Sequence, residues 1–311
     1  MKIGYFADGP WSHEALKKLE KLDSVEIVFI TPRFDTKDKF LKDWATSNNV
    51  PYIKEKNVNS RYFINKIKKY KPDLNVSMSF NQILKKNIIH SAKKGFINCH
   101  AGALPFYRGR NPLNWVLING EKSFGITVHF IDEGIDTGDI IEQIKFKITD
   151  EDNYSTLLNK AIYECANLLV ESIKKIESNN FSKISQKTID KKGSYFSMRK
   201  KGDEIIDWEK SSLECFNFIR AISDPGPYAR TYCNDIEYAI VSAKKSNFKK
   251  ENNSIPGEIV RNKKNGIIVK TGKGSIEINN IAKVNKKGDI DKIFCPNFEI
   301  GSFFKKTKSK K

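Results

Sequence analysis

An alternation of apolar strands and amphipathic helices fills the first half of the chain, and it constrains the fold more than any other feature. The segment VEIVFIT (Val25–Thr31) is a nearly continuous run of apolar, largely β-branched residues, which is typical of a strand buried in a parallel sheet. DLNVSMSF (Asp73–Phe80) is also strand-like, and the amphipathic segment Ser60–Tyr70 between them predicts a helix. Three more segments continue the pattern: a strand at VPYIK (Val50–Lys54) and helices at Lys85–Lys94 and Pro112–Ile118. The alternation therefore predicts an α/β fold with a doubly wound, mostly parallel, Rossmann-like sheet.

The pattern of apolar and polar residues changes near Lys183, just after a long helical pattern at Ser155–Ser178. Beyond that point, short apolar segments are separated by turns such as NKKNG and TGKG. Such spacing predicts a smaller C-terminal β-rich, barrel-like domain. We therefore divide the chain into a sheet domain at residues 1–182, a C-terminal domain at 183–304 and a basic tail at 305–311.

The formal net charge of the chain is +18, which by itself would fit a nucleic-acid or anionic-membrane partner. The excess is mostly Lys spread along the whole chain, whereas Arg, the usual residue for bidentate phosphate recognition, is scarce. No segment approaches the roughly 18 apolar residues of a membrane span. We predict a cytoplasmic protein with neither nucleic acid nor membrane as its partner.

The five cysteines form no CxxC pair, and their spacing matches neither a zinc site nor a disulfide framework. We expect reduced, mostly buried thiols. Cys99 in particular is expected to be a small buried residue rather than a nucleophile.

Asn98 and His100 are two positions apart at the end of the strand-like segment GFINCH, so their side chains should leave the same face. Ligands of open α/β sheets bind beyond the carboxyl ends of the strands. A single His at a strand end is more often structural than catalytic. Here it precedes AGALPFYRGRNPLNW, whose Gly, Pro and Arg residues are typical of a binding loop.

A second, acidic loop lies downstream in HFIDEGIDTGDI, with Asp132, Glu133, Asp136 and Asp139 beside two glycines. Loops of this composition are usually turns, and the spacing does not match a calcium-binding EF-hand. We therefore predict no metal at this loop.

Taken in order, N-x-H, LPxYRGRxPLNW and D-x-G-x-D-x-G-D-I resemble the folate-dependent formyltransferase family. The stretch YRGRNPLNWVLINGE (Tyr107–Glu121) is most similar to the sugar-nucleotide N-formyltransferases, including the formyltransferase part of the aminoarabinose-modifying enzyme. The resemblance continues through GSYFSMRKKGDEIIDWEK and IRAISDPGPYA, so it covers most of the chain. It implies that the sheet domain is catalytic.

The resemblance also implies that Asn98, His100 and Asp136 are the catalytic residues and that 10-formyltetrahydrofolate is the formyl donor, with no metal. The chemistry suits these side chains. An amide such as Asn98 can donate to the oxyanion that forms when an amine attacks the formyl carbon, and an imidazole such as His100 can move the proton. Asp136 would orient that imidazole.

Binding residues follow from the same resemblance. The donor would contact backbone groups and side chains at two loops: Met78, Ser79, Phe80, Asn81, Asp132 and Gly134. The acceptor, a nucleotide-linked amino sugar, would contact a second set: Arg110 and Asn114, with Arg108 and Arg199 as weaker candidates. Where the family has a small residue followed by Leu-Leu-Pro after the motif His, this chain has Gly102 and Ala103, so the identity of the sugar is not implied.

Three alternatives remain open from the sequence. Methionyl-tRNA formyltransferase shares the catalytic triplet and would explain the charge, but the early loops lack an Arg/Lys-rich insertion. A glycinamide-ribonucleotide formyltransferase is less well matched, because Gly9 stands alone where that enzyme has a Gly-rich loop. A non-catalytic folate-binding protein is the third. We expect Lys183–Ala282 to help close the acceptor site or to form a homodimer.

Overall fold

The computed structural model describes residues 1–248 and 254–307, and it divides into two compact units. The first consists of Met1–Pro112, Ser123–Lys147 and Leu158–Ser197, and the second of Leu113–Lys122, Ile148–Leu157 and Met198–Lys311. The domain boundary at residue 182 stays a sequence-based prediction. Residues 308–311 of the predicted basic tail lie outside the described residues.

The strands and helices alternate in the first half of the chain as the sequence predicts. The strands are β1 (Lys2–Ala7), β2 (Glu26–Thr31), β3 (Leu74–Met78), β4 (Phe96–His100), β5 (Arg108–Gly109), β6 (Ser123–Phe130), β7 (Ile140–Lys147), β8 (Tyr195–Phe196), β9 (Ala229–Cys233), β10 (Ile236–Lys245), β11 (Ile259–Lys263), β12 (Gly266–Lys270), β13 (Ser275–Val284) and β14 (Ile290–Phe294). The helices are α1 (Gly9–Leu19), α2 (Phe40–Ser47), α3 (Arg61–Lys68), α4 (Lys86–Ile89), α5 (Pro112–Ile118), α6 (Tyr154–Glu177), α7 (Gln186–Ile189) and α8 (Ser212–Ala221). Of the helices in the described part of the chain, none is both long enough and apolar enough to cross a bilayer.

Within its described residues, the first unit contains a sheet of strand order β2-β1-β3-β4-β6-β7. Strands β1 to β4 run parallel to one another, whereas β6 is antiparallel to both β4 and β7. The α/β fold class is therefore confirmed, with one reversed strand. That reversal sets a register in which Asn98 lies beside His129, and His100 beside Thr127.

Helices cover both faces of this sheet. On one face, Phe6 and Phe96 join a buried cluster with Phe63 and Ile67 of α3. On the other face, the Tyr5 hydroxyl donates to the Ser12 carbonyl of α1, and Cys99 lies against α6. Because side chains alternate along a strand, Asn98 and His100 lie on the same face as Phe96, at the end of β4 where ligands bind such sheets.

Two local predictions need correction. The segment VPYIK is not a strand among the described elements, because it makes a single parallel bridge between Ile30 and Tyr52. The helix expected over Lys85–Lys94 is one short turn, Lys86–Ile89. In contrast, α3 begins as expected, since the Ser60 side chain accepts a hydrogen bond from the Phe63 backbone N–H and caps the helix.

The second unit is built on an antiparallel sheet with the order β11-β12-β13-β10-β9, and β14 also pairs with β13. Helix α8 packs on β10 and β13. Isolated bridges join Phe303 to Glu258 and Lys305 to Tyr232, at the two edges of the sheet. The predicted β-rich domain is confirmed, but no named strand in the described residues closes it into a barrel.

Candidate active site

Asn98 and His100 lie at the carboxyl end of β4, as predicted. Strand alternation brings both side chains to one face, where the Asn98 side chain is half-exposed and His100 is buried to 7% exposure. The site therefore has one polar group that solvent can reach and one that the protein encloses.

Asp136 lies in the turn between β6 and β7. Its φ of 54° is in the left-handed region, which Asp and Asn tolerate better than most L-residues. The neighbouring Gly138 is required, because a Cβ there would lie 1.9 Å from the Phe130 carbonyl oxygen. The Gly/Asp composition of this loop thus builds a tight turn that carries one carboxylate into the site.

The Asp136 carboxylate lies between two imidazoles. Its Oδ2 is 3.7 Å from Nδ1 of His100, and its Oδ1 is 3.6 Å from Nε2 of His129. The backbone N–H of Gly109 donates to Oδ2 at 2.9 Å. Burial by itself would raise the pKa of Asp136, but the imidazoles of His100 and His129 and the Gly109 N–H together lower the pKa well below its usual value. Asp136 is therefore a carboxylate throughout the neutral range.

His129 is a site residue that the sequence analysis missed. Its ring is buried to 2% exposure on β6. Nδ1 bonds the Phe130 carbonyl at 2.8 Å, and Nε2 lies 3.3 Å from Nδ2 of Asn98. The antiparallel register of β4 and β6 creates this contact. To predict it from the sequence, one would have had to recognise that β6 is a reversed strand beside β4.

His100 is held from its other side by the binding loop. Its Nε2 is 2.7 Å from the Tyr107 carbonyl oxygen, and because a carbonyl can only accept, Nε2 carries a hydrogen. Gly102 makes this position accessible, since a Cβ at residue 102 would lie 2.6 Å from His100 Nε2. Gly102, at the position where the family pattern has a small residue, thus leaves room for the ring of His100.

Arg108 is buried to 6% exposure and engaged within the protein. Its guanidinium donates to the Gln186 side chain, the Lys192 carbonyl and the Tyr195 hydroxyl. Gln186 in turn donates to the carbonyls of Asp136 and Gly138, both at 2.8 Å. Arg108 therefore supports the Asp136 turn, and this geometry argues against its predicted role as an acceptor ligand.

The other acceptor candidates differ in exposure. Arg110, in the first unit, has an exposed side chain. Asn114 belongs to the second unit, where it is buried and its side-chain amide donates to the Ala221 carbonyl at 2.7 Å. Arg199, also in the second unit, lies over the rings of Trp115 and Phe218. Arg110 is the candidate that a ligand can reach most readily.

The predicted donor residues of the first loop follow the carboxyl end of β3. Met78 is buried, and its carbonyl accepts from the Asp8 N–H. Ser79 has a left-handed φ of 60°, and its carbonyl and hydroxyl both accept from Arg33. Phe80 packs on the core with its ring 5.6 Å from that of Phe6.

The remaining donor candidates are at exposed or half-exposed positions. Asn81 is half-exposed and lies 3.4 Å from Asp35. Asp132 and Gly134 are exposed in the acidic loop, where Oδ1 of Asp132 accepts from the Gly134 N–H and the Thr137 hydroxyl. Asp132 thus stabilises the fold of its own loop.

Cys99 lies between the two catalytic candidates but points away from them. Its buried Sγ is 3.5 Å from the Cys165 carbonyl oxygen of α6. Burial, together with the nearby Cys99, raises the pKa of the Cys165 thiol well above its usual value. In the described part of the chain, no group of three or more His, Cys, Asp or Glu side chains is arranged to hold a metal ion.

Comparisons with known proteins place the chain in one family. The formyl transferase family matches residues 1–173, and the C-terminal domain of formyl transferases matches residues 199–294. Over 238 residues the chain is 35% identical to the bifunctional polymyxin resistance protein ArnA of Wigglesworthia glossinidia brevipalpis. That match covers 76% of this chain but 35% of ArnA, so the chain spans about a third of that relative.

Two further proteins resemble almost the whole chain. The methionyl-tRNA formyltransferase of Clostridium novyi is 34% identical over 295 residues, which cover 92% of this chain and 94% of that protein. A solved N-formyltransferase from Helicobacter canadensis, in complex with folinic acid and dTDP-3-aminofucose, matches with a TM-score of 0.69 at 23% identity and covers 90% of this chain and 99% of its own. The resemblance seen in the sequence is confirmed: the chain belongs to the formyl transferase family, whose members are transferases of one-carbon groups.

Proposed function

We propose that this enzyme transfers the formyl group of 10-formyltetrahydrofolate to the primary amine of a nucleotide-linked amino sugar. The observation that carries the proposal is the cluster of Asn98, His100 and Asp136 at the carboxyl end of β4, in a chain of the formyl transferase family. A half-exposed amide, a buried imidazole and a partly buried carboxylate are the groups that such a transfer needs.

Asn98 would stabilise the negative charge that develops on the formyl oxygen. When the acceptor amine forms a bond to the formyl carbon, the carbonyl oxygen becomes an oxyanion in a tetrahedral intermediate. A fixed amide N–H donor lowers the energy of this state more than that of the substrate. The partial exposure of Asn98 leaves its amide accessible to a bound formyl group.

His100 would carry the proton. The attacking amine must lose one proton, and the folate nitrogen must gain one as its bond to the formyl carbon breaks. Nδ1 of His100 is the ring nitrogen suited to this transfer, because at 3.7 Å from Asp136 it lies near the carboxylate without a close hydrogen bond. The ionised Asp136 would then stabilise the imidazolium until the proton is passed on.

The amino-sugar acceptor is supported by the loop that contacts the catalytic residues. The backbone of this loop reaches both His100, through the Tyr107 carbonyl, and Asp136, through the Gly109 N–H. The next residue, Arg110, has an exposed guanidinium, which is suited to the diphosphate of a nucleotide sugar. The complex of the Helicobacter canadensis enzyme with dTDP-3-aminofucose supports the same acceptor class.

The donor would be held beside this cluster. The residues at the end of β3 offer an apolar ring, Phe80, and the backbone of a left-handed turn at Ser79, which are groups suited to a flat heterocycle. The acidic loop would complete the site at Asp132 and Gly134. The folinic acid bound by the Helicobacter canadensis enzyme supports a folate donor.

Methionyl-tRNA is the second candidate acceptor. The Clostridium novyi enzyme matches nearly the whole of both chains, and the net charge of +18 would favour a nucleic-acid substrate. A cytoplasmic location remains a prediction from the sequence, and a place in lipopolysaccharide biosynthesis remains a prediction from the resemblance.

The test is to incubate the protein with 10-formyltetrahydrofolate and separate acceptors while following tetrahydrofolate release and the product mass. The acceptors are UDP-, dTDP-, GDP- and CMP-linked amino sugars, methionyl-tRNA and uncharged tRNA. N-acetylated forms of the same sugars are the matched controls, because they lack the nucleophilic amine. We expect turnover with an amino-sugar nucleotide only. Turnover with methionyl-tRNA alone would overturn the acceptor assignment. If none of the acceptors is formylated, the proposed function is overturned.

A further inference from the structure

We infer that His129 is a positioning residue that fixes the side-chain amide of Asn98 in the orientation needed for formyl transfer. The inference rests on the proposed function and adds a fourth residue to Asn98, His100 and Asp136. It is carried by the contacts of a single buried imidazole, whose two nitrogens face different partners.

The first step concerns the hydrogens of the His129 ring. Nδ1 lies 2.8 Å from the carbonyl oxygen of Phe130. A carbonyl oxygen can only accept, so Nδ1 carries the hydrogen, and in the neutral ring Nε2 is left with a lone pair. Nε2 of the neutral His129 ring is therefore a hydrogen-bond acceptor, whereas in a protonated ring it would carry a hydrogen toward Asp136. The inference concerns the neutral ring.

The second step concerns the two ends of the Asn98 amide. An amide side chain can rotate so that either its nitrogen or its oxygen faces a neighbour, and the hydrogen-bond partners decide which orientation forms. Nδ2 of Asn98 lies 3.3 Å from Nε2 of His129. Because an acceptor there attracts the N–H and repels the oxygen, His129 selects one of the two orientations.

The third step concerns the hydrogen that remains. Nδ2 carries two hydrogens, and the bond to His129 uses one of them, which leaves the other for the formyl oxygen. In the flipped orientation Oδ1 would occupy that position and would repel a developing oxyanion. Loss of one oxyanion donor commonly slows an enzyme by about 10²- to 10³-fold.

The fold encloses the His129 imidazole at this position. His129 is buried to 2% exposure, and the strand register sets it directly beside Asn98. The charged group facing the ring is Asp136, whose Oδ1 at 3.6 Å from Nε2 lies farther away than Nδ2 of Asn98. The closer contact is thus the one to Asn98.

The test compares His129→Leu with His129→Gln. Leu removes the hydrogen-bond acceptor that faces Asn98, whereas the side-chain oxygen of Gln can replace it. We expect His129→Leu to lower kcat by about 10²-fold, with unchanged KM for 10-formyltetrahydrofolate, and His129→Gln to recover most of the loss. Equal impairment of both variants, or a wild-type kcat in His129→Leu, would overturn the inference.

A double-mutant cycle separates positioning from a general structural effect. Because His129 acts through the Asn98 amide, His129→Leu should have no further effect on kcat in an Asn98→Ala background. If the two losses multiply, His129 does not act through Asn98.

A measurement that does not depend on turnover keeps this inference distinct from the proposed function. NMR of the wild-type protein should give a nuclear Overhauser effect between the Asn98 side-chain amide hydrogens and the His129 ring, together with a slowly exchanging amide signal that His129→Leu loses. Absence of this contact would overturn the inference even if the enzyme is active. Its presence in a protein that formylates no acceptor would overturn the proposed function alone.

Discussion

The guanidinium of Arg108 donates two hydrogen bonds to the side-chain oxygen of Gln186, at 3.0 and 2.7 Å. Gln186 then donates to the carbonyl of Asp136, which has a left-handed backbone. This conformation costs an L-residue roughly 1–2 kcal/mol, so the buried bonds from Gln186 help to hold the turn in place. Arg108 thereby stabilises the position of the Asp136 carboxylate.

The first prediction concerns Gln186→Glu. A glutamate can still pair with Arg108, but it cannot donate to the carbonyls of Asp136 and Gly138. A small displacement of a catalytic group can cost about 10²-fold in rate, so we expect kcat to fall by about tenfold or more while KM for the donor is unchanged. Steady-state kinetics checks this. Gln186→Leu, which loses both sets of bonds, is the companion variant; impairment of the Leu variant alone would mean that the Arg108 contact, rather than support of Asp136, is what matters.

A second prediction follows from the ionisation of Asp136. Its pKa is lowered in the folded protein, so its stabilising contribution is fully present above the unfolded value of about 4 and is lost as pH falls toward the folded value. The difference in free energy of unfolding between wild type and Asp136→Asn should therefore shrink as pH falls below about 4. Urea unfolding at several acidic pH values measures it. A difference that stays the same from about pH 5 to about pH 2 would contradict the assignment.

Gly102→Ala is the third change. The added Cβ would lie 2.6 Å from Nε2 and 2.8 Å from Cδ2 of His100, and 2.9 Å from the Tyr107 carbonyl oxygen. His100 must therefore move away from Tyr107, and we expect kcat to fall by about 10²-fold. Isothermal titration with 5-formyltetrahydrofolate should give wild-type donor affinity. A wild-type kcat would show that the position of His100 in this structure is not the productive one.

The fourth prediction contrasts Arg110→Ala with Asn114→Ala. Arg110 is exposed, so its loss should raise KM for the nucleotide sugar by about tenfold, the worth of a charge-assisted hydrogen bond, and leave Tm unchanged. Asn114 is buried, and its loss leaves the Ala221 carbonyl without that donor, which should destabilise the protein by about 1–3 kcal/mol. Acceptor titrations and thermal unfolding separate the two effects. The opposite pattern would restore Asn114 as the acceptor ligand.

The sequence predicts much of the fold because its signals are local. Most of the apolar strands, the start of α3 at Ser60 and the helix at Pro112–Ile118 follow from periodicity, and the structure places them where expected. The positions of Asn98 and His100 follow from strand alternation. These features need no knowledge of which strands are neighbours.

The remaining features depend on pairing between distant segments. Nothing in the residues HFID, at the end of β6, indicates that this strand runs antiparallel to β4. Only this pairing places His129 beside Asn98. Burial also separates Arg108 from Arg110: the intervening Gly109 has a φ of 93°, which breaks the regular pleat, and one arginine is buried while the other is exposed. The sequence motif alone does not tell the buried arginine from the exposed one.

The most direct test of the central claim is the transfer of isotope-labelled formyl from 10-formyltetrahydrofolate to an amino-sugar nucleotide by the wild type and by His100→Asn. The account predicts that His100→Asn transfers formyl about 10²- to 10⁴-fold more slowly, the usual contribution of a general acid-base group, and binds the donor with wild-type affinity. Transfer at a near-normal rate by His100→Asn would contradict it.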